Sequence, residues 1–427
     1  MCFDHLNQDT IMNDSPLPPP LIQINWKKNL FIIWLSQFLA MVGFGCCMPF
    51  IPLMLKENLH IDDENLRGVY TSIYYFASMV SLCVATSVWG MLADRFGRKL
   101  MLLRASYAAA IFYPLLALAP NFWVLASIRF VCSFFSGTVN PAQTLLIANT
   151  PREKHGFVLG VLSTATNSGN MLGYLLGAMI VERFGYTNAF FTCGGIYLAS
   201  ALLVHIFAKD DFNIKTVKKK REKSQYKFRE VATPAVCWLL AMFLCFGVAN
   251  RLLQPNMALL VEKVHGFKGA AFYTGIVSAA ASLGGFLAGL CLGWLCDRIA
   301  PRKLMLPILI SSSSLTAAMA LSVNVHMLIA TRFFAAFAIC GIQPVLQLML
   351  TKITPQELRG TYFGWSGSVN TAGGIVCSLV GASVVWFCGV RGVFLTSALI
   401  LALMLPLMLP VSRNVIREEA LLKDKED

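Results

Sequence analysis

The chain has 427 residues, 56% of them hydrophobic and 13% charged. That excludes an ordinary soluble domain, in which about 25% of residues are charged. The formal charge of +13 would suit a nucleic-acid binder, but its placement along the chain assigns it to membrane topology instead, so no nucleic-acid partner is expected.

Residues 1–27 carry Asp4, Asp9, Asp14 and the run Ser15-Pro16-Leu17-Pro18-Pro19-Pro20. A secretory signal would open with bases and an apolar core, so this stretch is expected to be a disordered cytoplasmic tail. Twelve apolar runs follow, each long enough to cross a bilayer. They fall at 29–55, 68–93, 100–119, 123–148, 157–181, 189–208, 234–261, 270–296, 304–323, 326–350, 361–387 and 392–410. The expected fold is therefore an all-α polytopic membrane protein.

With both termini placed inside, and Arg104 at the edge of the third run counted with the inner loop, the inner segments hold 26 of the 35 Lys and Arg, the outer loops six and the spans three. Bases concentrate on the cytoplasmic side of membrane proteins, so this count predicts a multi-pass protein of the cell membrane with cytoplasmic termini. The first span contains Gly43, Gly45, Pro49 and Pro52 and is expected to bend in its outer half. Residues 209–233 form a basic linker with nine Lys/Arg against four acids, read as a solvated connection that fixes topology. Residues 412–427 form a second charged tail. The thirteen cysteines are scattered without metal-binding spacing, so neither a metal site nor a disulfide framework is expected.

Between spans two and three lies Gly90-Met91-Leu92-Ala93-Asp94-Arg95-Phe96-Gly97-Arg98-Lys99. A degraded copy, Gly293-Trp294-Leu295-Cys296-Asp297-Arg298, lies between spans eight and nine. Gly90 is expected to allow close helix approach. Asp94 is expected to face a helix N-terminus or an Arg, and Arg95, Arg98 and Lys99 to hold the loop inside. Asp297 and Arg298 would serve the copy.

Landmarks recur in constant register. Pro52, Asp94, Arg129 and Pro141 map onto Pro255, Asp297, Arg332 and Pro344 at an offset of 203. Gly185 and Phe190 map onto Gly389 and Phe394 at 204. Such a repeat implies two pseudo-symmetric six-helix halves, 28–208 and 234–411, rocking about a site near the bilayer midplane.

The loop pattern G-x-L-x-D-R-x-G-R-K resembles the signature of the major facilitator superfamily of secondary transporters. Within it the chain is similar to the twelve-span drug:proton antiporters, which carry an Arg in span four, here Leu125-x-x-x-Arg129. They also carry a span-five glycine series, here Gly160, Gly169, Gly173 and Gly177. The family's proline falls on Tyr174 and its last glycine on Ala178, a departure that weakens the inference of antiport. Tyr174 has two readings, a cavity residue or a packed aromatic.

All 22 acids lie in tails, loops or span ends, whereas Arg129, Arg251 and Arg332 lie inside spans. A buried Arg is costly enough to imply a purpose, and the repeat mates Arg129 and Arg332 are read as scaffold or coupling residues. Arg251 has no mate and stands beside Pro255, so it is expected to contact substrate. Asn250, Gln254, Asn140, Gln143, Gln343, Gln347 and Trp365 are further candidates for the cavity wall.

No ATP-binding loop is present, so no nucleotide or other cofactor is expected, and the chain is not expected to be an enzyme. The expected activity is proton-coupled efflux of small neutral or anionic amphipathic compounds by a monomer. Two alternatives are a carrier for an organic anion, such as a carboxylate metabolite or siderophore, and a non-transporting sensor on the same fold.

Overall fold

The computed structural model describes residues 25–151, 154–210, 233–296, 298–354 and 359–426. Within these, the side chains at 87, 91, 94, 95, 290, 292–294, 296, 302, 359–361, 363, 409–410 and 412–426 lie outside the description. The tail through residue 24, linker residues 211–232 and Asp297 also lie outside it.

Every regular element among the described residues is helical. The first half comprises α1 (Trp26–Cys47), a 3₁₀ turn (Met48–Phe50), α2 (Ile51–Glu57), α3 (Glu64–Phe96), α4 (Arg98–Ala117), α5 (Phe122–Phe135), α6 (Val139–Ala148) and α7 (His155–Phe207). The second comprises α8 (Pro234–His265), α9 (Ala270–Cys296), α10 (Pro301–Ala320), α11 (Val325–Lys352) and α12 (Arg359–Glu426). Ten helical stretches are long and apolar enough to cross a membrane. Two of these, inside α7 and α12, break at Gly185 (φ 80°) and Gly389 (φ 69°). Only glycine adopts such backbone cheaply, so each long helix is two span-length stretches joined without a loop, which makes twelve such stretches among the described residues.

The ends follow local chemistry. The side chain of Asn25 accepts from the Lys28 N–H, so α1 begins at Trp26, inside the stretch expected to be tail. Asn121 and Asn324, themselves 203 apart, cap α5 and α11 by accepting from Val124 and Met327. The bend expected in span one is the 3₁₀ turn at Met48–Phe50. The last helix runs through the charged tail to Glu426.

Spans four and ten differ despite their shared proline. Proline cannot bond the carbonyl four residues back and clashes with it. Four residues before Pro141 stands Gly137, which turns to φ 112° and splits span four into α5 and α6. Four residues before Pro344 stands Cys340, and α11 continues unbroken. Pro255, the repeat mate of Pro52, does not break its helix either, since α8 runs through it.

Within the first half α1 lies along α7, with Gly169, Gly173 and Gly177 pressed against the backbone at Phe38, Val42 and Cys46. Gly160 and Gly90 have nothing within reach of an added Cβ. The close approach expected at Gly90 is therefore not present; the residue is exposed. The halves meet where α3 faces α12 and α7 faces α9. There Gly68 abuts Val385, and Gly275 abuts Tyr174 and Ala178.

Candidate functional site

Two cavities reach toward the face where α1 begins. The first, about 430 Å³, lies among α1, α3, α4, α5, α6 and α7, and among the described residues no carboxylate lines it. Arg129 sits in its wall, 6% exposed. Its guanidinium donates to the Tyr113 hydroxyl at 3.5 Å and lies 5.2 Å from the Tyr74 ring centre, while Nε has no partner. Arg104 lies nearer the mouth, its Cζ 3.7 Å from the Trp89 ring centre. Counted above with the inner-loop bases, Arg104 stands one turn into span three. The structure makes it a cavity residue, and the missed signal was its place inside the apolar run.

The second cavity, about 540 Å³, lies between the halves and is lined by amides. Asn167, Asn170 and Tyr174 come from α7, Asn250 and Gln254 from α8, and Arg332, Gln343 and Gln347 from α11. Gln254 Nε2 donates to the Tyr174 hydroxyl at 3.3 Å. Tyr174 is thus both a cavity residue and, at 7% exposure, a packed one.

The expected site residues divide accordingly. Asn250, Gln254, Gln343, Gln347, Tyr174 and Arg332 converge on the second cavity, and Asn140 lines the first. Arg251 lines neither. Residues four apart share a helix face, whereas adjacent ones stand about 100° apart, so Asn250 and Gln254 face the cavity and Arg251 turns away. Its Nη1 lies 3.6 Å from Met79 Sδ in the other half, and its stem lies against Gly374. Trp365 packs on Tyr362, ring centres 5.2 Å apart, and lines neither cavity, as does Gln143.

The loop at 90–99 turns on Gly97 (φ 96°). The acid on the N-terminus of α4 is Asp210, whose Oδ2 accepts from the backbone N–H groups of Arg98 and Lys99, each at 2.9 Å. A carboxylate there meets the positive end of the helix dipole. Lys99 Nζ donates to the His205 carbonyl at 2.9 Å. The partners expected for Asp94 and Arg95 lie outside the described side chains, as does Asp297. Arg298 is exposed.

At the opposite face the halves are tied by charge. Glu262 of α8 accepts from Lys56 at 2.8 Å and from both terminal nitrogens of Arg67, whose side chain is 2% exposed. Lys263 reaches Glu64 at 2.8 Å. None of these pairs is visible in the sequence, because each joins residues about 200 positions apart.

An all-helical protein of two bundles, closed at one face and hollow toward the other, has the architecture of a membrane carrier. The sequence model described as Major Facilitator Superfamily matches residues 33–325 and 269–425. The chain belongs to that superfamily and is a secondary transporter, not an enzyme. It is 31% identical over 388 residues to "Multidrug resistance protein MdtG" of Citrobacter koseri, covering 90% of this chain and 94% of that one. The MdtG of Serratia proteamaculans is 29% identical, with 90% and 93% covered. Among solved structures, a bacterial homologue of the human lysosomal transporter Spinster, inward-facing and occupied, superposes with TM-score 0.72 at 15% identity, covering 91% and 97%. The nucleoside transporter NupG superposes with TM-score 0.70 at 14% identity, covering 90% and 99%.

Proposed function

We propose that this chain exports small neutral or anionic amphipathic compounds from the cell, coupled to proton entry, as a monomer with both termini in the cytoplasm. Its units would be the first six spans, a basic linker at 209–233 and the last six spans. The observation that carries this reading is the charge of the cavities: among the described residues, Arg104, Arg129 and Arg332 line them and no carboxylate does. Arginine stays protonated, so a cationic compound would be desolvated beside like charge, whereas a neutral or anionic one would not. The names of the MdtG relatives support efflux of drug-like compounds. With the termini inside, the conformation is inward-open, and Asp94 and Asp297 serve the inner gate that closes in the opposite state.

The test uses everted vesicles and proteoliposomes containing the full chain. Uptake of an amphipathic carboxylate into everted vesicles should follow an imposed pH gradient and stop with a protonophore. Uptake that ignores the gradient but needs a loaded counter-anion would replace proton coupling with anion exchange. Binding without any exchange would make the chain a sensor.

A further inference from the structure

We propose that the first cavity is the subsite that recognises charge, with Arg104, laid flat on Trp89, taking the anionic head of an amphipathic substrate. This rests on the reading above and says which cavity selects the anion.

Stacking on an indole satisfies the face of a guanidinium and leaves its edge of N–H donors to be used. In Arg104 that edge is unused: Nε and Nη1 are buried without a hydrogen-bond partner. Leaving such donors unpaired costs free energy, and a carboxylate or phosphonate can take two at once. The platform is rigid before any ligand arrives. Trp89 Nε1 donates to the Phe134 carbonyl at 2.7 Å, and its ring packs edge-on to Phe134 at 5.6 Å between centres. A fixed guanidinium loses less freedom on binding than a free one.

The surroundings agree. Arg129 adds a second positive charge deeper in the same wall, buried, with an unpartnered Nε and no acid beside it among the described residues. The break at Gly137 starts α6 inside the cavity, at Val139 and Asn140. Their N–H groups belong to the first turn and have no partner within the helix. The hydroxyl of Thr138, 3% exposed, is also without a partner. Met41, Phe44, Leu82 and Ala85 supply an apolar wall for the substrate's body. The volume falls within the usual range of small-molecule sites. The amide-lined second cavity suits polar neutral groups better.

The test compares two probes on the full chain in lipid nanodiscs, a dansyl-labelled medium-chain carboxylate and its methyl ester, which share a body and differ in charge. Wild type should bind the carboxylate at least about tenfold more tightly. Arg104→Gln should bring the two within about twofold while keeping the ester's affinity, and Trp89→Leu should weaken the carboxylate alone. Arg332→Gln should keep the full preference. If Arg104→Gln binds neither probe, Arg104→Lys decides: an ester bound as in wild type with a reduced carboxylate preference supports the site, and any other pattern overturns it. A preference that survives Arg104→Gln, or vanishes in Arg332→Gln instead, also overturns it. If wild type transports the carboxylate and Arg104→Gln does so equally well, the assignment fails and the carrier reading stands. If wild type binds and transports neither probe, both fail.

Discussion

The two faces of the molecule use charge in opposite ways. At the sealed face the charges that join the halves are paired: Glu262 with Arg67 and Lys56, Glu64 with Lys263. In the cavities that reach toward the other face, Arg104, Arg129 and Arg332 have no acid beside them among the described residues. Paired charge holds a conformation, because removing one partner leaves the other buried and uncompensated. Unpaired charge in a hollow holds nothing and is free for a ligand. On the function proposed above, the difference separates the residues that keep this state closed from those that read what enters it.

The comparison breaks most visibly at Glu262. Replacing it with Ala strands Arg67, and loss of one partner of a buried pair costs about 3–5 kcal/mol. The sealed seam should open, so a cysteine placed at Ser72, buried near Gly381, should become reactive to an impermeant maleimide added on that side of the membrane. Unchanged labelling would mean that packing, not charge, closes this face.

Next come the repeat mates. Arg129→Gln removes a buried cation without a counter-ion, which by itself leaves stability unchanged or raises it. Transport should nonetheless fall about a hundredfold, ~2.7 kcal/mol, while the melting temperature holds or rises. Arg332→Gln should cost about tenfold in transport, ~1.4 kcal/mol. Parallel loss of stability and transport in Arg129→Gln would return it to a structural role.

A smaller effect is expected where Asp210 caps α4. Asp210→Ala should destabilise by about 1 kcal/mol, read as a lowered melting temperature, with cavity binding unchanged. Smallest of all is Tyr174→Phe, which removes one hydrogen bond from Gln254. It should cost about 1 kcal/mol or less, visible as a slight rise in the apparent KM for a neutral substrate. A large loss there would move recognition to the second cavity.

Much of the fold was legible because hydropathy and landmark residues are local. The constant offset foretold that Gly185 and Gly389 would play the same part, and both break their helices. The site was legible only in part. Asn250 and Gln254 met their cavity, but Arg251 did not, because unusual chemistry was weighed there without its rotation around the helix. Arg104 was missed for its position at a span edge. The split of span four was written in Gly137, four residues before Pro141, and the repeat itself hid it, since Cys340 at the matching position gives the other half no such break. The pairs at Glu262 depend on which spans become neighbours, which no local pattern encodes.

The seam between the halves at the sealed face has a further consequence. Gly68 takes the side chain of Val385, and Gly275 that of Ala178, into the space a Cβ would fill. The ion pairs at the rim add the charge-dependent part of what holds the closed state. Ionic strength acts on such pairs, the Debye length falling from about 30 Å at 0.01 M to 3 Å at 1 M salt, and it acts most on exposed ones. Glu64–Lys263 would weaken first and the buried Arg67–Glu262 pair last. Salt on one side of the membrane alone would then bias which way the carrier faces at rest.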